Sequence, residues 1–362
     1  MLIVSGEESS LPPNSARMPL WSLFATAANP ATRAGVFDYT MPSLVRTATN
    51  KGVKRGNSMC NSIHSNRLLA AGIVALTLAV AACGKGDSDT SSAGKQAGRD
   101  NVEAMVREHA GDTSAASEGA QPDPRRAVVS DRLPYAEVDD ELVYGHFVFP
   151  TDMVEPRPAI IVIHEWWGLN DNVRAMADRL AGEGYLVLAV DLYGGRTADN
   201  SPAARELMLS VVENPEAAAE NLRQAYDFVA ATAGAPRVAS LGWCFGGGWA
   251  LNTAMLLPDE LDAAVIYYGQ VTDDEDELRP VNAPILGLFG AEDRGITVDS
   301  VRRFEAALQR LRKAHEIHIY PGAGHAFANP TGRTYNADVA EDAWNRTLDF
   351  LKQNLVDAGD DA

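Results

Sequence analysis

From about residue 133 to residue 358 the chain alternates two patterns of apolar positions. Short continuous apolar runs stand at 159–163 (AIIVI), 186–190 (LVLAV), 263–268 and 285–289. A run with no polar face predicts a strand buried on both sides of a parallel sheet. Residues 141–149 alternate more and predict an earlier strand; 238–241 and 317–320 predict two further ones. Between them, apolar residues recur at helical spacing: Val173, Met176, Ala177 and Leu180 after a cap at Asn170 or Asp171; Leu222, Ala225, Tyr226 and Val229 after Asn214-Pro215; Val301, Phe304, Leu308 and Leu311; and Trp344, Leu348, Leu351 and Leu355. Gly184 marks the end of the first of these helices. Strands alternating with helices over some 225 residues predict an α/β fold, a doubly wound, mostly parallel sheet flanked by helices in one domain. In such a sheet, chemistry collects at the carboxyl ends of the strands.

The first 132 residues lack that rhythm. Residues 1–58 are rich in Ser, Ala, Asn and Pro, show no period, and read as a disordered or mis-annotated extension; Met41 and Met59 are better starts. Residues 59–83 read as an export signal: Asn66-Arg67, a 68–82 apolar run too short to span a bilayer, then Cys83. The end of the run, LAVAAC at 78–83, resembles a bacterial lipobox, which makes Cys83 the lipidated first residue of a mature lipoprotein in the cell envelope, facing the periplasm or exterior. Residues 84–132, dominated by small and polar residues, read as a flexible linker, with one or two loose helical turns at 101–109.

Composition narrows the partners. A formal net charge of −18 without a basic block excludes an electrostatic nucleic-acid binder. Contact with a membrane is expected only through the lipid anchor. The three cysteines, Cys60, Cys83 and Cys244, show no metal-site spacing and no disulfide framework. Removal of the signal and lipidation of Cys83 would leave Cys244 as the one free thiol.

Cys244 lies in Gly242-Trp243-Cys244-Phe245-Gly246, between an apolar run and a helix-compatible one. The pattern G-x-C-x-G is the thiol form of the nucleophile elbow. Its glycines permit a strained strand-to-helix turn that lifts the sulfur above the sheet. A helix N-terminus behind the sulfur favours the thiolate. A thiol nucleophile needs a base, and the base an orienting acid. His325 in PGAGH follows the last predicted strand, and Asp293 in FGAED follows the one before. The order nucleophile, acid, histidine is that of α/β-hydrolases. Glu292 competes with Asp293; His315, His318 and His146 read as sheet or surface residues. After the 159–163 strand comes HEWWGLN, where such folds draw one oxyanion-hole amide. Trp166 and Phe245 are therefore assigned the two backbone N–H donors. The indoles, Trp167 among them, are candidate walls of a substrate pocket.

Five blocks in order, HEWWGLN at 164–170, DLYGG at 191–195, GWCFGG at 242–247, FGAED at 289–293 and GAGHAF at 322–327, resemble the dienelactone hydrolase family, the carboxymethylenebutenolidase-like α/β-hydrolases. The resemblance implies a hydrolase that cleaves a small-molecule carboxylic ester or lactone through an acyl-enzyme. It implies a Cys244–His325–Asp293 triad and no metal or cofactor. Glu165 matches the family glutamate that meets the resting thiol, and Tyr193 falls beside the pocket. The archetypes carry a substrate-gripping arginine four positions after the histidine; Asn329 stands there, which implies a substrate other than dienelactone. A second family arginine corresponds to Arg196 or Arg205, with nothing to choose between them. Two other classes stay open on the residues alone: an inactive α/β-hydrolase-like binding module of the envelope, and a thioesterase or peptidase.

Overall fold

The computed structural model describes residues 87–109, 111, 112, 114 and 123–356. The lipobox, Cys60 and Cys83 lie outside the described residues. Eight strands form one sheet in the order β1-β2-β4-β3-β5-β6-β7-β8. They are β1 Val128–Val138, β2 Glu141–Pro150, β3 Ala159–Ile163, β4 Leu186–Val190, β5 Val238–Trp243, β6 Ala263–Tyr267, β7 Ile285–Gly290 and β8 His315–Tyr320. The β1–β2 and β2–β4 pairs are antiparallel, and every other pair is parallel. Every residue of β3, β4, β5, β6 and β7 is buried, as apolar runs without a polar face require.

The helices are α1 Asp87–Glu108, α2 Asp171–Gly182, α3 Ser201–Glu213, α4 Pro215–Asp227, α5 Phe245–Leu256, the single turn α6 Glu275–Leu278, α7 Val298–Arg310 and α8 Ala337–Leu355. A π-helical turn, Phe228–Thr232, extends α4. Asn170, not Asp171, caps α2: its side chain accepts a hydrogen bond from the Val173 N–H. Two apolar layers fill the faces of the sheet. One gathers Ile160, Leu241, Trp344 and Leu351; the other gathers Ile161, Leu222, Phe289 and Phe304. Tyr267 ties α8 to the sheet through its hydroxyl, which donates to the Ala343 carbonyl at 3.1 Å and lies 2.6 Å from the Thr347 hydroxyl.

Besides the single turn α6, three elements were not predicted from the apolar pattern. Strand β1 begins at Val128, inside the segment read as linker; it is an edge strand whose irregular register at Pro134–Ala136 blurs the alternation. A two-residue turn with positive φ at Asp139 and Asp140 joins it to β2. Helix α3 has a cap at Asn200, whose side chain accepts from the Ala203 N–H, and buries Ala204, Leu207, Met208 and Val211. The third is α1, and it corrects the reading of 84–132 as a flexible linker. Twenty-two residues of that stretch are helical. Its buried side chains, Val102, Met105 and the following His109, fall near its C-terminal end at helical spacing. The polar residues before them hide the pattern. The helix lies along α3, with Arg99 paired to Glu213 at 3.0 Å and Glu103 paired to Arg205. Among the described residues no helix is long and apolar enough to cross a membrane.

Candidate active site

The elbow follows from close backbone packing at the end of β5. Ile163 of β3 and Ile266 of β6 flank Gly242 in register. A Cβ on Gly242 would stand 2.1 Å from the Gly246 carbonyl oxygen, and one on Gly246 would stand 2.2 Å from that of Ile163. Side chains at these two positions are excluded by backbone atoms that cannot swing away. Between them Cys244 takes φ 56 and ψ −118, a conformation that L-residues avoid. Its N–H is held by the Tyr267 carbonyl at 3.0 Å, and α5 starts at the next residue.

The loops after β7 and β8 carry the acid and the imidazole. They touch at Gly290, where a Cβ would lie 2.4 Å from the Ala323 carbonyl oxygen. That contact brings Asp293 beside His325: Nδ1 of the ring lies 2.7 Å from Oδ2 of the carboxylate, both side chains buried. The other carboxylate oxygen accepts from the N–H groups of Gly295 at 2.9 Å and Ile296 at 2.8 Å. Asp293 is thus fixed by the backbone, and Glu292 is not the partner. With Nδ1–H given to Asp293, Nε2 of His325 is turned toward the sulfur. It is buried without a hydrogen-bond partner. The Cys244 sulfur and ring nitrogens of His325 and His109 all lie within 4.8 Å of one another. Among the described residues this is the one grouping of His, Cys or carboxylate donors close enough to grip a metal ion.

Burial pushes the Cys244 thiol up, but the neighbouring imidazoles of His109 and His325 outweigh it and bring it down to about 6. Burial likewise disfavours a charged His325, yet the Asp293 carboxylate and the thiolate lift it well above the ordinary histidine range. Glu165 moves the other way: burial first, and the nearby thiolate second, push it up to about 7. One of its oxygens accepts from the Asn329 amide at 2.8 Å, while the other is buried without a partner. Asn329 also accepts from the Thr331 N–H and hydroxyl, so its amide braces Glu165 rather than standing free.

His164 holds the 164–170 loop in place. Its Nδ1–H donates to the Glu165 carbonyl at 2.7 Å, and its Nε2 accepts from the Leu192 N–H at 3.1 Å. Both nitrogens are used, and burial holds the ring neutral. Gly168, at φ 91, lets this loop meet the Arg196 carbonyl, which a Cβ would approach to 2.7 Å. The DLYGG turn closes on Asp191, which accepts from the N–H groups of Tyr193 and Gly195. Tyr193 packs its ring on His164 and Phe245, with its hydroxyl buried and unpartnered. Trp166 and Trp167 are buried against each other, ring centres 4.7 Å apart. Of the two candidate arginines, Arg205 is bound to Glu103 of α1, and Arg196 donates to the Tyr193 carbonyl at 3.1 Å. The acidic run at 273–277 is largely exposed and forms ion pairs with Arg303, Arg310 and Arg279.

The contribution of α1 and its following turn to this site was missed from the sequence. His109, at the end of α1, stacks on Trp166 with ring centres 4.8 Å apart and sets Nε2 3.6 Å from the Cys244 sulfur. Its Nδ1 lies 2.9 Å from Asp112. The sulfur of Met105, one turn back, is 3.1 Å from that of Cys244. The signal available was the spacing Val102, Met105, His109, followed by a carboxylate three positions on.

The model of the dienelactone hydrolase family matches residues 144–355. A protein provisionally named carboxymethylenebutenolidase from Saccharolobus solfataricus is 35% identical over 236 residues, covering 55% of this chain and 90% of its own. A likewise named protein of Escherichia coli is 36% identical over 214 residues, covering 55% of this chain and 78% of its own. Among solved structures, a provisionally assigned dienelactone hydrolase from Klebsiella pneumoniae aligns over 63% of this chain and 100% of its own, with a TM-score of 0.58 and 29% identity.

Proposed function

The chain belongs to the dienelactone hydrolase family, whose members are carboxylic ester and lactone hydrolases of the α/β-hydrolase fold, and from that premise we propose a Cys244–His325–Asp293 mechanism for it. The thiolate attacks the ester carbonyl. His325, oriented by Asp293, takes the thiol proton and keeps the sulfur anionic, and water then hydrolyses the thioester. The amide of Phe245, at the first turn of α5, and that of Trp166 are assigned to the oxyanion. Glu165 competes with the thiolate for charge in one buried pocket and restrains it until substrate arrives. Trp167 and Tyr193 line the substrate side. With an asparagine engaged by Glu165 where the family archetypes place a clamping arginine, the substrate is an ester or lactone that does not depend on a carboxylate grip there.

The observation that carries this reading is the meeting of sulfur, imidazole and carboxylate on a strained elbow, ringed by buried polar atoms that have no partner. Glu165 Oε1, Trp166 Nε1, Tyr193 Oη, Tyr268 Oη and His325 Nε2 are all of that kind. Such atoms are costly unless a ligand or water meets them. Cys244→Ala is expected to abolish hydrolysis of p-nitrophenyl acetate while leaving the thermal melt in place. Turnover equal to that of the unaltered protein would end the assignment. We also propose that the protein is anchored in the cell envelope by lipid on Cys83, as the run LAVAAC suggests.

A further inference from the structure

The structure holds two histidine–carboxylate pairs against one sulfur, and the mechanism above uses only one. The second pair is His109 with Asp112. It comes from α1 and the turn after it, outside the residues matched by the family model. Both side chains are buried, with 2% and 7% of their surface exposed, and Nδ1 of the ring faces the carboxylate at 2.9 Å. Asp112 is itself held: Arg333 reaches its second oxygen at 3.4 Å, and the Asp112 N–H donates to the His109 carbonyl at 3.1 Å. The ring of His109 stands nearly perpendicular to that of His325, centres 5.2 Å apart, and lies flat on Trp166. The arrangement repeats the His325–Asp293 design: one nitrogen committed to a carboxylate, the other directed at the thiol.

We propose that His109 is a second catalytic residue of the hydrolase, the proton donor to the leaving-group oxygen, with Asp112 as its positioning residue. The proposal rests on the cysteine-hydrolase reading of the site. Cys244 thiolate adds to the carbonyl carbon, and the tetrahedral oxyanion forms. As the C–O bond to the leaving group breaks, the proton on His109 Nε2 passes to the departing oxygen, giving the alcohol and the thioester. Neutral His109 then takes a proton from the incoming water as hydroxide adds to the thioester. Collapse expels the thiolate and releases the acid, and one water is consumed. His325 remains the imidazole that shares the thiol proton and keeps the sulfur anionic. His109 is suited to donation because it is charged at neutral pH: burial opposes that charge, but Asp112 and the thiolate outweigh it and raise the ring to about 9. Met105 fills the approach to the sulfur at 3.1 Å, and its unbranched side chain can yield to a substrate acyl group while His109 stays on Trp166.

The proposal sets a dependence on the leaving group. Phenoxide needs a proton to depart near neutral pH; p-nitrophenoxide is stable as the anion. In the full chain, His109→Gln is expected to lower kcat/KM for phenyl acetate by about 100-fold or more, the usual scale of general acid catalysis. For p-nitrophenyl acetate, with the same acyl group, the loss is expected to stay within about tenfold. Asp112→Asn, which keeps the ring and removes the charge that holds it, should show the same selectivity at smaller amplitude. Equal losses on the two esters, or a gain on both, in either variant would overturn the proposal, a gain marking His109 as a cover over the sulfur. Should His109→Gln fail to fold, Asp112→Asn decides alone. Cys244→Ala separates the two levels: full turnover in that variant removes the cysteine mechanism, whereas an inactive Cys244→Ala with an unselective His109→Gln removes only the second acid.

Discussion

Glu165 shares a buried pocket with the Cys244 sulfur, and replacing it by glutamine should show how strongly the carboxylate and the thiolate oppose each other. Its carboxyl moves from 4.5 to about 7. That displacement is on the order of 3 kcal/mol. Burial is the larger cause and the thiolate the next, with His109 and His325 pulling the other way; a like charge at close range is worth on the order of one pH unit. Interaction between two titrating groups is mutual, so Glu165 must hold the thiol up by a like amount. In Glu165→Gln the side-chain oxygen still accepts from Asn329, and the charge is gone. The assay is the pH profile of iodoacetamide alkylation at Cys244, read by peptide mass, with the midpoint rather than the absolute rate compared. The unaltered protein should rise in a broad profile from about pH 6, slowed above about pH 7 as Glu165 ionises. The variant should rise in one sharper step with a midpoint lower by up to about one unit. Stability gives a second readout. A carboxyl raised in the folded state contributes stability that is present below its unfolded pKa near 4.5 and lost as pH climbs through about 7. The gain in melting temperature from Glu165→Gln should therefore be larger at pH 8 than at pH 4.5. An unchanged or higher alkylation midpoint would refute the charge competition.

Three other outcomes follow from the same geometry. Asp293→Asn keeps an oxygen for the Gly295 and Ile296 amides, so the fold should survive, while kcat falls by about 10²- to 10⁴-fold in steady-state assays. Gly246→Ala drives a methyl into the Ile163 and His164 carbonyls, which it would approach to 2.2 and 2.6 Å; a loss of about 1–3 kcal/mol, or roughly 2–12 °C in Tm, is expected by calorimetry, and an unshifted melt would contradict the packing at the elbow. Cys83→Ala should stop incorporation of labelled palmitate and move the protein from the membrane fraction to the soluble one; continued labelling would place any lipid elsewhere.

The central sheet was legible because its strands are buried on both sides, and burial of that kind leaves no polar residue to confuse the run: 159–163 and 186–190 match β3 and β4 to the residue. The elbow and the loops after β7 and β8 were legible because small residues gather where backbones must touch, at Gly242, Gly246 and Gly290. What escaped were elements whose apolar pattern is blurred or confined to one end. Helix α3 buries Ala204, Leu207, Met208 and Val211 at the spacing that marks α2, but Ala203, Leu209 and Val212 also pack against the core and blur the period. Helix α1 buries Val102, Met105 and His109 only at its end, and what they bury against is the site itself, a long-range contact that local periodicity cannot report. For the same reason the partner of His109, though three residues away in sequence, gains meaning only once both are seen beside Cys244.

Holding a cysteine at φ 56 has a thermodynamic corollary. Glycine tolerates that backbone freely, so Cys244→Gly should relieve about 1–2 kcal/mol of local strain while deleting the sulfur. The fold therefore carries, at its centre, a side chain that works against its own durability. A chain with no use for the thiol could hold glycine at this turn without that backbone strain.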